Sequence, residues 1–150
     1  MNTVDLIAEI LKREGVEYLS CFPTTPVIES AAAAGIRPII CRQERVGVGI
    51  ADGYSRVTNG DKLGVFAMQS GPGAENAYPG IASSFSDSVP LLLLPLGHPR
   101  ERAGISPHFS GLKSFEDVTK GIEQVNAANR TSDIMRRAFA GLRQGRPGPM

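Results

Sequence analysis

Glu44 is the residue whose placement points most directly to chemistry. It lies in a charged cluster, Arg42-Gln43-Glu44-Arg45, after an apolar run at 37–41 and before a segment rich in small residues. A carboxylate in the first turn of a helix ordinarily serves as a partner for the helix dipole, worth about 0.3–1 kcal/mol. Held against a ligand, it can also pass or share a proton. The segment that follows favours the second use. Gly47, Gly49 and Gly53 fall at helix-interior positions, where glycine costs about 1 kcal/mol relative to alanine. Such a face implies close backbone approach, between subunits or within the domain.

Two further loops carry candidate chemistry. Ser70-Gly71-Pro72-Gly73 joins a strand to a helix, at the sheet edge where open α/β folds bind ligands. It is not a dinucleotide fingerprint, since G-x-G-x-x-G counted from Gly71 puts Asn76 where the last glycine belongs, and no G-K-[ST] marks a P-loop. Nor is it a nucleophile elbow, because Met68 and Pro72 stand where G-x-S-x-G around Ser70 requires glycines. A tight turn that only starts the helix is the plain alternative. Phe22-Pro23-Thr24-Thr25-Pro26 falls at the same edge, and its plain reading is a proline-set turn with Thr25 capping the next helix.

Cys21, Cys41, His98 and His108 never approach the short spacings of a zinc site, so metal ligation by this chain is not expected. The cysteines read as core residues of a reducing cytoplasm and the histidines as solvated loop residues. The arginines at 130, 136, 137, 143 and 146 read as a wet helix face.

The elements that position these loops follow from hydrophobic spacing. Val4, Ile7, Ile10 and Leu11 make one helical stripe over 2–14, with Gly15 at the stop. Short strands at 18–22, 37–41, 63–68 and 91–94 alternate with helices at 27–34, 45–58 and 74–85. The middle helix carries Val46, Ile50, Tyr54 and Val57 on one face. Strands apolar on both sides and separated by helices imply an α/β domain of three layers, a mainly parallel sheet flanked by helices on both faces. Residues 97–114 read as a long surface loop, 122–125 as a further strand, and 132–142 as a helix with Ile134, Ala138 and Leu142 inward. That helix runs into Gly145-Arg146-Pro147-Gly148-Pro149, which should feed a strand, so an end at Met150 implies a domain truncated at its C-terminal end.

The 150 residues suit one domain. A formal net charge of +1 provides no field of one sign for nucleic acid or an anionic membrane. Without tryptophan, and with 6% aromatic residues, the chain also lacks platforms for stacking bases. The most apolar stretch, 89–96, is short and holds Pro90 and Pro95, and the first residues carry acids instead of a basic leader region. Neither a nucleic acid nor a membrane is an expected partner, and the expected location is cytoplasmic.

The segments GVEYLSCFPTTP, CRQERVGVGIADGYSRVTNG, MQSGPGAENAYPGIASSFSDSVPLLLL and AFAGLRQGRPGP occur in that order. With them the chain resembles, from about Leu6 to its end, the N-terminal pyrimidine-binding domain of thiamine-diphosphate-dependent enzymes. The superfamily is that of acetolactate synthase, pyruvate oxidase and benzoylformate decarboxylase. The resemblance implies that Glu44 hydrogen-bonds a ring nitrogen of the cofactor's aminopyrimidine and favours its imino tautomer, which activates the thiazolium carbon for attack on a 2-oxo acid. Decarboxylation, carboligation or both would follow, the activity of a lyase or transferase. Desolvation by a partner domain would have to outweigh the helix N-terminus, which favours a charged carboxylate.

The resemblance further implies cofactor contacts for Pro23, Thr24, Glu44, Pro72 and Asn76. Substrate contacts would come from Gln69 and, in the 104–110 loop, His108 and Phe109. The diphosphate and Mg²⁺ would be held by a G-D-G…N-N domain absent from these residues, supplied downstream or by another chain, so that this chain is inactive without it. The complete enzyme would be a homodimer or homotetramer acting on a small 2-oxo acid. Two alternatives stand beside this reading: the α-type subunit of a split 2-oxo-acid decarboxylase, and a non-catalytic regulatory or interaction module. Three positions depart from the family pattern. Its Pro-Gly-Gly is Pro23-Thr24-Thr25 here, its histidine before the glutamate is Gln43, and its Phe-Gln is Phe109-Ser110.

Overall fold

The computed structural model describes residues 2–150. Helix α1 (Thr3–Arg13) begins with a reciprocal cap, in which the Asn2 side chain accepts from Asp5 N at 2.9 Å and the Asp5 carboxylate accepts from Asn2 N at 3.2 Å. Four short strands follow in alternation with helices: β1 (Tyr18–Cys21), α2 (Val27–Ala33), β2 (Arg37–Ile40), α3 (Glu44–Val57), β3 (Gly64–Met68), α4 (Pro72–Ser86) and β4 (Leu91–Pro95). A single helical turn, α5 (Gly111–Ser114), and the amphipathic α6 (Thr131–Arg143) complete the chain. The sheet is parallel throughout, in the order β2-β1-β3-β4.

Because β1 and β3 are buried along nearly their whole length, helices must cover both faces. On one face α1, α2 and α6 pack Leu11, Ala31, Met135 and Phe139 against Leu19, Val65 and Leu92. On the other, α3 and α4 pack Val48, Ala51, Ala77 and Ile81 against Phe66, Met68 and Leu93. The expected three-layer α/β domain is therefore observed. Cys21 lies in the first cluster and Cys41 in the second, both as free buried thiols. Burial, reinforced by Cys41, pushes the Cys21 thiol up to about 11, and burial also raises Cys41, so both remain protonated core residues.

Two expectations need correction. The stripe of Val46, Ile50, Tyr54 and Val57 on α3 is not its buried face: Val46 is 51% and Val57 83% exposed, while Ile50 and Tyr54 are half-buried, Ile50 at the margin of the α3/α4 cluster and Tyr54 against Tyr18. The buried face of α3 is instead the small-residue face of Glu44, Gly47, Val48, Ala51 and Ser55. It lies so close to β3 that a methyl on Gly47 would fall 2.2 Å from the Phe66 ring. The tight approach expected of the glycines thus holds for Gly47, against side chains and not a backbone, while Gly49 and Gly53 have nothing within 4 Å of where a Cβ would be.

Residues 122–125 form no strand. A ladder needs successive pairing, whereas here Lys120 N donates to Pro149 O at 2.8 Å and the next bond in the segment is local, from Asn126 N to Gln124 O. Pro149 and Met150 lie between this segment and β4, with Met150 N donating to Leu91 O and Leu93 N to Met150 O, each at 2.9 Å. The arginines at 130, 136, 143 and 146 are exposed, as expected of a wet face, and Arg137 is half-buried. Arg137 pairs with Glu123, Arg143 pairs with Glu14, and Arg146 Nε donates to Ser88 Oγ at 2.6 Å, fastening this end of the chain to its neighbours.

With β1 flanked by β2 and β3, the chain runs outward from β1 and then crosses back. The crevice beyond the carboxyl ends of β1 and β3 is therefore the topological switch point, where open α/β sheets bind ligands. The loops after β1 and β3 open onto it, and α3 begins beside it.

Candidate functional site

Glu44 is the first residue of α3 and is only 6% exposed. What holds it there is the seating of α3 on the sheet, where Ser20 Oγ of β1 donates to Gly47 O at 2.8 Å. Across from it, β3 ends and Gln69-Ser70 lead into Gly71, whose φ of 63° and ψ of −118° suit only glycine. Pro72 then starts α4 at its first position, where a missing N–H costs nothing. This turn brings α4 against Glu44. Asn76 Nδ2 donates to Glu44 Oε2 at 2.6 Å, and a methyl on Gly73 would lie 3.0 Å from Glu44 Oε1 and 3.1 Å from Gln69 Cβ.

Thr24, in the loop after β1, has φ of 88°. A β-branched residue in this left-handed region is rare and costs about 1–3 kcal/mol. Thr25 does not cap α2: the cap position falls on Pro26 without a side-chain bond, and the buried Thr25 hydroxyl has no hydrogen-bond partner. The expected cap fails because Pro26 already sets the helical φ one residue later. Pro23 and Thr24 are exposed at the crevice, as are Pro72 and Gln69.

His108 and Phe109 belong to a second group beyond β4. The His98 and His108 rings lie 5.1 Å apart, and His98 Nε2 accepts from Phe109 N at 3.3 Å. His98 is thus half-buried and engaged, not a free loop residue. A cavity of about 950 Å³ runs from here along β4, with Thr25, Ser70, His98, His108 and Phe109 among its lining. Glu44, Gly73, Asn76 and Gln69 are therefore gathered into one cluster, while His108 and Phe109 join a different wall. No hydrogen bond links the two groups among the described residues.

Residues 51–54, Ala-Asp-Gly-Tyr, act on the scaffold. Asp52 accepts from Arg56 Nε at 2.6 Å and Ser84 Oγ at 2.7 Å, tying α3 to α4, and Tyr54 OH donates to Glu17 at 2.9 Å. Sequence spacing points to Glu44 but misses Gly73 as the residue that makes room for its carboxylate. The signal is present in the second glycine of S-G-P-G.

Among the described residues no group of three His, Cys, Asp or Glu side chains is placed to hold a metal ion, and no helix is long and apolar enough to cross a membrane.

Fold and site together define a parallel α/β domain that buries one carboxylate between two helix N-termini at its ligand-binding edge. The chain belongs to the thiamine pyrophosphate enzyme family, residues 1–127 matching its N-terminal TPP binding domain. Over 163 residues it is 30% identical to the acetolactate synthase large subunit of Haemophilus influenzae, covering 100% of this chain and 27% of that protein. The Lactococcus lactis large subunit is 34% identical over 158 residues, covering 97% of this chain and 26% of that protein. The chloroplastic acetolactate synthase of Arabidopsis thaliana is 32% identical over 152 residues, covering 97% and 22%. The chain thus spans about a quarter of the length of these relatives.

Proposed function

We propose that this chain is the pyrimidine-binding half of a thiamine-diphosphate-dependent enzyme that decarboxylates a 2-oxo acid, joins it to a second carbonyl, or both, in the manner of an acetolactate synthase. The observation that carries the reading is the Glu44 carboxyl group. It is buried, one oxygen is held by Asn76, and the other stands without a protein partner over the bare backbone of Gly73. A flat heterocycle with a ring nitrogen suits that free oxygen, and the aminopyrimidine of thiamine diphosphate is such a ring. When bound, the cofactor supplies the electron sink that a departing carboxyl group requires.

The work of this chain is to bind and orient. Glu44 holds a proton at the ring nitrogen, and Pro23, Thr24 and Pro72 border the ring. Asn76, also assigned to the cofactor site, donates to Glu44 Oε2. Thr24 holds a left-handed backbone, a conformation that favours glycine, at a position where the resemblance places the family's glycine. Substrate contacts are assigned to Gln69, beside Glu44, and to His108 and Phe109 on the wall beyond β4. The diphosphate and its Mg²⁺ are assigned to a separate domain, downstream or on another chain. A non-catalytic module would have no use for a buried carboxylate with a free oxygen.

The full-length protein with Mg²⁺ is expected to bind thiamine diphosphate at micromolar concentration or tighter by titration calorimetry, and to release carbon dioxide from a 2-oxo acid such as pyruvate. Residues 1–150 alone should do neither, because their loops reach one end of the cofactor. Full-length protein that ignores the cofactor in the presence of Mg²⁺ would overturn the proposal.

The outward side of α3, with the exposed Val46 and Val57 and the open Gly49 and Gly53, is the face we assign to a second subunit. A Cβ at either glycine meets nothing within 4 Å in the domain, so circular dichroism should be unchanged for Gly49→Leu and Gly53→Leu. Overpacking an interface costs about 1–3 kcal/mol, so sedimentation should show association weakened roughly tenfold or more. An unaltered oligomer would place that face in solvent.

A further inference from the structure

A carboxyl group that handles a proton must present one particular oxygen to its ligand, and the two oxygens of Glu44 have different surroundings. Oε2 accepts from Asn76 Nδ2 at 2.6 Å. Oε1 faces the space over Gly73, where a methyl would come within 3.0 Å of it. We infer that Asn76 is a positioning residue: it occupies Oε2 as a hydrogen-bond donor and so favours Oε1 as the seat of the transferable proton of Glu44. The inference rests on the proposed role of Glu44 and adds to it the residue that orients the proton.

The chemistry follows from the donor and acceptor inventory. A carboxamide N–H can only donate, so it takes up one of the two lone pairs of Oε2 and makes that oxygen the poorer site for a hydrogen. When Glu44 is protonated, the hydrogen is favoured on Oε1, the oxygen without a protein donor. A second constraint comes from α4 itself. Pro72, Gly73 and Asn76 lie on its first two turns, so the turn that removes a side chain at Gly73 also aims Asn76 at the carboxylate. Asn76 and Gly73 then act as a pair, one fixing the occupied oxygen and the other clearing the space before the free one. The opposite polarity, with the amide oxygen of Asn76 accepting a proton from Oε2, would leave Oε1 as a bare acceptor and defeat the role.

The substitution Asn76→Asp distinguishes the two polarities, since it keeps the shape of asparagine and removes the donor. If Asn76 accepts, the introduced carboxylate accepts as well and little changes; if Asn76 donates, two carboxyl groups are brought together at 2.6 Å. In the full-length protein, the side-chain amide protons of Asn76 are to be followed by NMR without cofactor, assigned by their loss in Asn76→Asp. They should lie downfield and exchange slowly, and Glu44→Gln should move them upfield.

With thiamine diphosphate and Mg²⁺ bound, hydrogen exchange at the thiazolium carbon should slow roughly ten- to a hundredfold in Asn76→Ala, and at least as much in Asn76→Asp. The double variant Glu44→Gln/Asn76→Ala should be no slower than Glu44→Gln, because both remove one device. Asn76→Asp exchanging at the wild-type rate, effects that multiply in the double variant, or amide protons indifferent to Glu44→Gln would each overturn the inference. A wild-type rate in Glu44→Gln would instead sink the proposed role of Glu44, while the cofactor-free amide spectrum still reports whether Asn76 donates to it.

Discussion

Glu44→Gln in the full-length protein is expected to slow hydrogen exchange at the thiazolium carbon of bound thiamine diphosphate by roughly 10²–10⁴-fold, the range spanned by a well-placed acid or base. The substitution nearly preserves shape. Glutamine can turn its carbonyl oxygen towards Asn76 and keep that hydrogen bond, which leaves its NH₂ group where Oε1 stood over Gly73. The NH₂ group still donates to a ring nitrogen, so cofactor affinity should fall only a few-fold. It cannot give up or regain a proton at neutral pH. Circular dichroism should match the wild type, so loss of rate without loss of fold is the expected pattern. NMR in deuterated water, with acid quenching, measures the exchange, and a wild-type rate would remove Glu44 from the mechanism.

The residues explain why part of this was legible in the sequence and part was not. Glu44 could be found because its surroundings are local: an apolar strand before it and glycines after it. Its bond to Asn76 spans 32 positions and exists only once two helices pack, so no spacing rule reports it. On α3 the stripe of Val46, Ile50, Tyr54 and Val57 is real, but periodicity gives a face and not its direction. The competing face, Gly47, Val48, Ala51 and Ser55, carries too little apolar bulk to register as a stripe. It is the buried one because only small residues fit between α3 and the Phe66 ring.

The same logic accounts for the other differences. Residues 122–125 look like a strand because they contain Ile122 and Val125, yet strand formation depends on a partner elsewhere in the chain. Thr24 is a type of residue that argues against a left-handed backbone, and nothing in its neighbours reveals that the loop demands one. The alternation of helix and strand, by contrast, is written in contiguous runs, and the three-layer order follows from it.

Gly64→Ala should show how strictly that order holds Glu44 in place. Gly64 opens β3, and a methyl built on it would lie 1.9 Å from Ala51 O, 2.6 Å from Ala51 C and 3.0 Å from Ala51 Cα. These are backbone atoms of α3, so no side chain can turn aside and the helix itself must shift. It is not free to do so. Ser55 Oγ accepts from Gly64 N at 2.8 Å and donates to Pro90 O at 2.7 Å, pinning α3 to β3 and to the segment before β4.

Relieving the overlap therefore breaks buried hydrogen bonds, at about 1–3 kcal/mol for each group left unpaired, in addition to about 1–3 kcal/mol of overpacking. The expected loss is about 3–5 kcal/mol, a large part of the roughly 5–15 kcal/mol available to a domain. It should lower the melting temperature by about 6–20 °C at this size. Gly49→Ala in the same helix is the control: it meets nothing within 4 Å, and removing a helix-interior glycine should stabilise by about 1 kcal/mol. Thermal and urea unfolding of both variants distinguish a positional clash from a general sensitivity of α3. Equal melting temperatures would mean that α3 rides loosely on the sheet, and a loosely held α3 could not keep Glu44 against Gly73 and Asn76.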